Sequence, residues 1–294
     1  MHVDGGLLSH DFFYRIPSLF QASIAPDQII ESATEESFDV WHRIVNGYTP
    51  MHLSMPGDKL LAISAAADAM SSTFLDLHAA GSYKAGLWEQ HMPLNLLWSV
   101  TPMVLKSRPL YRAPSWSWAS VDQEADVYGY RLLSQCHPSC YPAEIIQCNI
   151  QLASSAAPYG QVLGGELRIE SLVKDIPHYS ISDGEITLSD PEYRVERTGG
   201  LDAIEPDLTQ PREPGSGFTI SLLLIIRLPS TEVEWDAAEE GNFGWLYGLI
   251  LRKRDGETVV SRIGVLDCLV SKGDADGHVL RWQDSFERKT ITIV

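Results

Sequence analysis

Basic charge is scarce in this chain: Lys and Arg total 22 against 39 Asp and Glu, a formal net charge of −17. Such a surface repels phosphate backbones, which argues against nucleic acid as a partner. The densest basic runs, Arg252-Lys253-Arg254 and Arg288-Lys289, are short and lie beside strand-like segments, so solvated strand ends are expected there. Long apolar runs are missing as well. The longest, 220–226, is interrupted by Ser221 and closed by Arg227. It falls far short of the ~20 residues that a membrane span needs and is expected to be a buried strand. Asp4, His10 and Asp11 arrive too early for a signal peptide. Only four cysteines occur, too few for a secreted disulfide framework at this size, so a reducing, cytoplasmic setting is the expectation.

Cofactor signatures are also lacking. There is no GxGxxG, Walker loop, GxSxG or HExxH, and neither metal nor nucleotide is expected. Cys136-His137-Pro138-Ser139-Cys140 with Cys148 supplies soft ligands but no second paired motif, so zinc is not assigned. Asp274-Ala275-Asp276-Gly277 lacks the downstream glutamate of a calcium loop and is expected to be a turn.

The most distinctive stretch is Tyr-Arg-Ala-Pro-Ser-Trp-Ser-Trp-Ala-Ser-Val-Asp, residues 111–122. On an extended backbone Trp116 and Trp118 would point to one face, with small residues on the other. Pro114 biases Ala113 toward that conformation, so a strand entered from a loop is expected. Helical patterns precede this stretch and strand patterns follow it.

Leu7, Leu8, Phe12, Phe13, Ile16, Leu19 and Phe20 suggest a short apolar helix broken at Pro17. Phe38, Trp41, Ile44 and Val45 mark one face of a helix over 37–46, with Gly47 as its stop. Residues 58–70 are rich in helix formers, with Asp58 placed to cap. A third helix is expected over 83–100, kinked or split at Pro93. After 122 the period becomes two, and strands are expected at 144–152, 165–173, 185–188, 218–227, 245–254, 261–270 and 289–294. Asp255-Gly256 is a hairpin turn signal. Residues 199–217 and 230–241 look like loops. The expected fold class is α+β: a helical part, 1–110, packed on an antiparallel barrel or sandwich, 111–294, with the seam at 111–122.

Four ordered motifs resemble one family. DKLLAISAAA at 58–67 is similar to a "DKLxAISGxA" helix. YKAGLWE at 83–89, continuing to LLW at 96–98, is similar to "YxAGLWexxLxxxLLW". Residues 111–122 match "YRAPSWSWASVDG", with Gln123 in place of the last glycine. RIGV at 262–265 and ERKTITIV at 287–294 resemble the closing "RIGxxe…ERxxIxIV". Together they resemble the region that follows the HET domain in fungal heterokaryon-incompatibility proteins, over nearly the whole chain. In that family the HET domain proper lies upstream, with an "LSYxWG"-like segment, and its activity carries over to no residue here. The resemblance implies a non-catalytic module acting by binding or regulation in fungal non-self recognition or cell-death control.

The alternative is a stand-alone, metal- and nucleotide-independent enzyme: a cyclase, isomerase or dehydratase acting on an apolar secondary-metabolite intermediate. Trp88, Trp98, Trp116 and Trp118 would line an aromatic pocket at the helix–barrel junction, although core packing is the commoner use of such rings. Glu89 and His91 are candidates for an acid/base pair, weighed against polar residues on a solvent-facing helix. Tyr111, Arg112 and Asp122 would add a phenol, a guanidinium and a carboxylate; the structural alternative is an Arg–carboxylate tie at the junction. The partner is an apolar small molecule in this reading and a protein partner in the other.

Overall fold

A computed structural model describes residues 26–76, 82–100, 105–127, 140–192, 195–204, 217–228, 243–271, 282 and 284–294. Two helices come first, α1 (Pro26–Tyr48) and α2 (Lys59–Asp76), joined through a 3-10 turn at Pro56–Asp58. The expected face of α1 is the buried one: Phe38, Trp41 and Val45 are each buried, and Ile44 packs against them. The helix runs one residue past Gly47, and Thr49 N–H closes the last turn on Val45 O at 2.8 Å.

The third helix does not form. Residues 83–100 instead hold a two-stranded hairpin, β1 (Tyr83–Lys84) and β2 (Leu87–Trp88), then 3-10 turns at Glu89–His91 and Leu94–Leu97, then β3 (Ser99–Val100). Ala85 and Gly86 occupy left-handed backbone at φ 48° and 100°, which ends any helix at its second residue. A Cβ on Gly86 would lie 2.7 Å from the Trp118 indole nitrogen, so glycine is required by both conformation and space.

Residues 111–122 are not a strand either. They form irregular backbone ending in a 3-10 turn at Trp118–Ser120. Ser117 Oγ accepts from Ala119 N–H at 3.0 Å, and this local side-chain cap competes with the extended form. A short β4 (Ala125–Asp126) then pairs with β3.

The remaining described strands form one nine-stranded antiparallel sheet. Its strands are β5 (Glu144–Leu152), β6 (Val162–Ile176), β7 (His178–Ser182), β8 (Glu185–Asp190), β9 (Val195–Leu201), β10 (Phe218–Leu228), β11 (Phe243–Arg254), β12 (Ser261–Ser271) and β13 (Glu287–Ile293). The order is β13-β6-β10-β11-β12-β9-β8-β7, with β5 also on β6. All seven expected strands are present; β7 and β9 are additional. The turn after β11 is the expected one, with Gly256 at φ 81° and Glu257 N–H bonded to Arg254 O. The loop expected over 199–217 begins later, since 199–201 belong to β9. Its body, the loop at 230–241, the apolar segment before 26, Cys136 and Asp274-Gly277 lie outside the described residues.

The fold is therefore α+β with a dominant sheet, and no closed barrel is formed among the described residues. An isolated parallel bridge, Val260 with Ile293, joins the residue before β12 to the end of β13. β10 is buried on both faces, which explains its unbroken apolar run. Leu223 and Ile225 join a core that contains α1, α2 and tryptophans 88, 98, 116 and 118. Ile220, Leu222 and Leu224 join a second core with Ile186, Leu188, Leu246 and Ile250.

Candidate functional site

Residues 111–122 are the hub on which the other segments are tied. Trp118 Nε1 donates to Gly86 O at 2.9 Å, and Trp41 Nε1 donates to the same oxygen at 3.2 Å. Trp98 Nε1 donates to Trp116 O at 2.9 Å. Ser115 N–H donates to Val294 O at 3.1 Å, and Ser115 Oγ accepts from Arg262 N–H at 2.9 Å. The stretch thus touches α1, the 83–88 hairpin, β12 and the end of the chain.

The four tryptophans are core residues, each 1% exposed or less. Trp88 meets Trp41 and Tyr83 edge to face, with ring centroids 5.8 and 5.3 Å apart. Trp98 is covered by the Arg262 guanidinium at 3.5 Å from its centroid. Burying two rings here without a strand is achieved by the turn geometry, which points both indoles inward.

The polar candidates fall into two separate ties. Glu89 accepts from Ser82 Oγ and lies 3.6 Å from Lys84 Nζ. His91 stacks on Phe38 with centroids 4.1 Å apart and faces His42 at 5.8 Å. Burial pulls His91 down to about 4, and burial together with His91 pulls His42 down to about 3. Glu89 and His91 are drawn into these different contacts rather than onto each other.

Arg112 and Asp122 do meet, Nη2 to Oδ1 at 2.5 Å. The same guanidinium donates to Ala119 O, Pro56 O and Val121 O at 2.7, 2.9 and 2.6 Å. This is the expected Arg–carboxylate tie, extended to three backbone carbonyls. Tyr111 stands apart from it and is 58% exposed beside the still more exposed Leu110.

Next to this tie a cleft of about 360 Å³ opens between the end of α1, the start of α2 and the 122–124 segment. Its walls include Tyr48, Lys59, Lys106, Arg112, Asp122 and Gln123, with Met51 and Glu124 at exposed positions. Lys59 was not singled out by sequence reasoning, which treated it as one residue of a helix. It is buried, its Nζ donates to Val121 O at 2.5 Å, and it lies 5.7 Å from the Trp118 ring centroid. Tyr48 Oη donates to the Lys59 carbonyl at 2.6 Å. Burial first, then the Arg112 and Lys106 charges, lower the Lys59 ammonium to about 7, against the opposing pull of Asp122. The signal that points to it is position: a lysine at the first residue of a helix is unfavourable against the helix dipole.

A second missed feature is the buried ion pair of Arg262 with Asp202. Among the described residues no group of three or more His, Cys, Asp or Glu is placed to hold a metal ion. No described helix is long and apolar enough to cross a membrane. No family model, no curated protein and no solved structure matches this chain.

Proposed function

We propose that the chain is a globular module of the heterokaryon-incompatibility type, acting by binding or regulation in fungal non-self recognition or cell-death control, with the Lys59–Arg112–Asp122 cleft as its recognition site. The motif resemblance suggests the biological setting. The observation that carries the choice of site is the cleft itself, open where three segments converge on residues 111–122. The reading as a binding module is supported by the use made of the candidate catalytic groups. Glu89 is engaged by Ser82 and Lys84, and Arg112 by three carbonyls and Asp122. Groups held in this way suit a rigid wall better than proton transfer.

The test is inducible expression in a filamentous fungus, scored for growth arrest and hyphal death. A Met51→Asp, Glu124→Lys variant changes only exposed positions of the cleft. It should melt at the wild-type temperature and lose the phenotype. A variant as potent as wild type, or substrate turnover by the purified chain alone, overturns this reading. The enzyme alternative, a cofactor-independent cyclase, isomerase or dehydratase, retains Arg112 and Asp122 at the cleft, whereas its four tryptophans are all packed in the core.

A further inference from the structure

Lys59 is set differently from the lysines that are held in ion pairs. Lys84, Lys174 and Lys289 each face a carboxylate, at 3.6, 3.2 and 2.9 Å. Lys59 has no carboxylate within ion-pair distance among the described residues; its Nζ donates to a neutral carbonyl, that of Val121. Arg112 and Lys106 line the same cleft, and the Asp122 carboxylate opposing them is held by Arg112. Lys59 is also the first residue of α2, where the positive end of the helix dipole lies. Burial, like charge and dipole all act against an ammonium at this position.

We propose that Lys59 is a carbonyl-capturing amine, forming a reversible imine with small carbonyl compounds that carry a carboxylate and enter the cleft. The inference rests on the cleft being the ligand site. The amine lone pair attacks the carbonyl carbon, and the carbonyl π pair moves to oxygen, which takes up a proton. The carbinolamine then expels that oxygen as water. Both protons of the amine end in the water, a C=N bond remains, and no oxidant or reductant is consumed. The ligand carboxylate is drawn by Lys106, whose Nζ is bonded, among the described residues, only to the Asp122 carbonyl at 3.2 Å, whereas the Arg112 charge is already met by Asp122. The lowered ammonium, near 7, keeps about half the amine neutral at neutral pH. An ordinary lysine is neutral at that pH in well under about one part in a thousand.

The experiment is reductive trapping of glyoxylate with cyanoborohydride on the full chain at pH 7, read by peptide mapping. The peptide containing Lys59 should acquire the adduct roughly tenfold or more faster than those containing Lys253 and Lys289. The ratio of Lys59 to Lys253 labelling should be larger with glyoxylate than with uncharged propionaldehyde, and Lys106→Ala should remove that difference between the two ratios. Labelling of Lys59 no faster than of the exposed lysines overturns the proposal. Amide shifts around the cleft on adding glyoxylate, with no trapped adduct at Lys59, would overturn imine formation but leave the cleft as a ligand site. Neither shifts nor adduct would remove both.

Discussion

Arg262 and Asp202 form an ion pair wholly inside the protein, Nε to Oδ2 at 2.8 Å and Nη2 to Oδ1 at 3.0 Å, with both side chains at most 1% exposed. The guanidinium also donates to the carbonyls of Leu96 and Trp98 and lies over the Trp98 ring. One side chain from β12 therefore organises a turn that precedes it by 164 residues. The bidentate fork and the stack are both arginine geometry, which a lysine cannot reproduce.

Breaking this pair from one side strands a buried charge. Asp202→Ala should destabilise the fold by about 3–5 kcal/mol, and Arg262→Lys should recover little. Replacing both partners by Met and Leu should cost less than Asp202→Ala alone, because no charge is then left uncompensated. Urea denaturation of the three variants checks the order; a double variant weaker than either single one contradicts it.

That pair also shows where sequence reading stops. Strands β5, β6, β10, β11 and β12 were legible because alternation or apolar runs are local. The partner of Arg262 lies 60 residues away, and nothing in the RIGV motif names Asp202. β7 was missed because its apolar face is only two half-buried residues, Tyr179 and Ile181, too short an alternation to stand out in the sequence. β9 was missed because Val195–Leu201 contains two glycines. At Gly199 a Cβ would sit 2.7 Å from Val265 O, so close approach of backbones, invisible in the sequence, selects the residue. The third helix and the 111–122 strand failed for one reason. Ala85-Gly86 and Ser117-Trp118 are shaped by contact with each other, and tertiary contact overrode periodicity.

Gly86→Ala tests that mutual shaping. The added methyl meets three atoms of the Trp118 indole at 2.7–3.0 Å while the backbone keeps φ near 100°. The backbone term alone is about 1 kcal/mol, and the clash adds to it. The expected result is a lowered melting temperature with changed near-ultraviolet dichroism from the buried indoles. A variant with wild-type dichroism and stability would refute the contact.

Acid should loosen the packing of α1 on the Glu89–His91 turn. His42 and His91 are held neutral, at about 3 and about 4, whereas an unfolded chain titrates them near 6.5. Between those values the unfolded state binds more protons, so stability rises with pH and is lost as pH falls below about 6.5. Each ring contributes at most about 1.4 kcal/mol per pH unit, or about 2 kcal/mol by pH 5. His91→Phe, which retains the stack on Phe38, should flatten this dependence by about half, as read by denaturation at pH 5 and 7. Equal pH dependence in wild type and variant would remove the two rings from the acid response.

Lys59 should show a pH dependence at alkaline pH. Its folded value, about 7, lies below the unfolded value near 10.4. Below 7 the buried ammonium carries its full penalty; between 7 and about 10 the unfolded chain binds more protons, and stability rises with pH. Lys59→Met removes the charge yet leaves Val121 O bonded to Arg112 Nη2 at 2.6 Å, so no carbonyl is orphaned. The variant should therefore be at least as stable as wild type at pH 6, and the advantage should shrink as pH is raised to 9. Denaturation midpoints of the two proteins across that range decide it. A Lys59→Met chain that is much weaker at pH 6 would mean that the ammonium is a favourable, charged tie to Val121, and its role as a neutral amine in the cleft would fall with it.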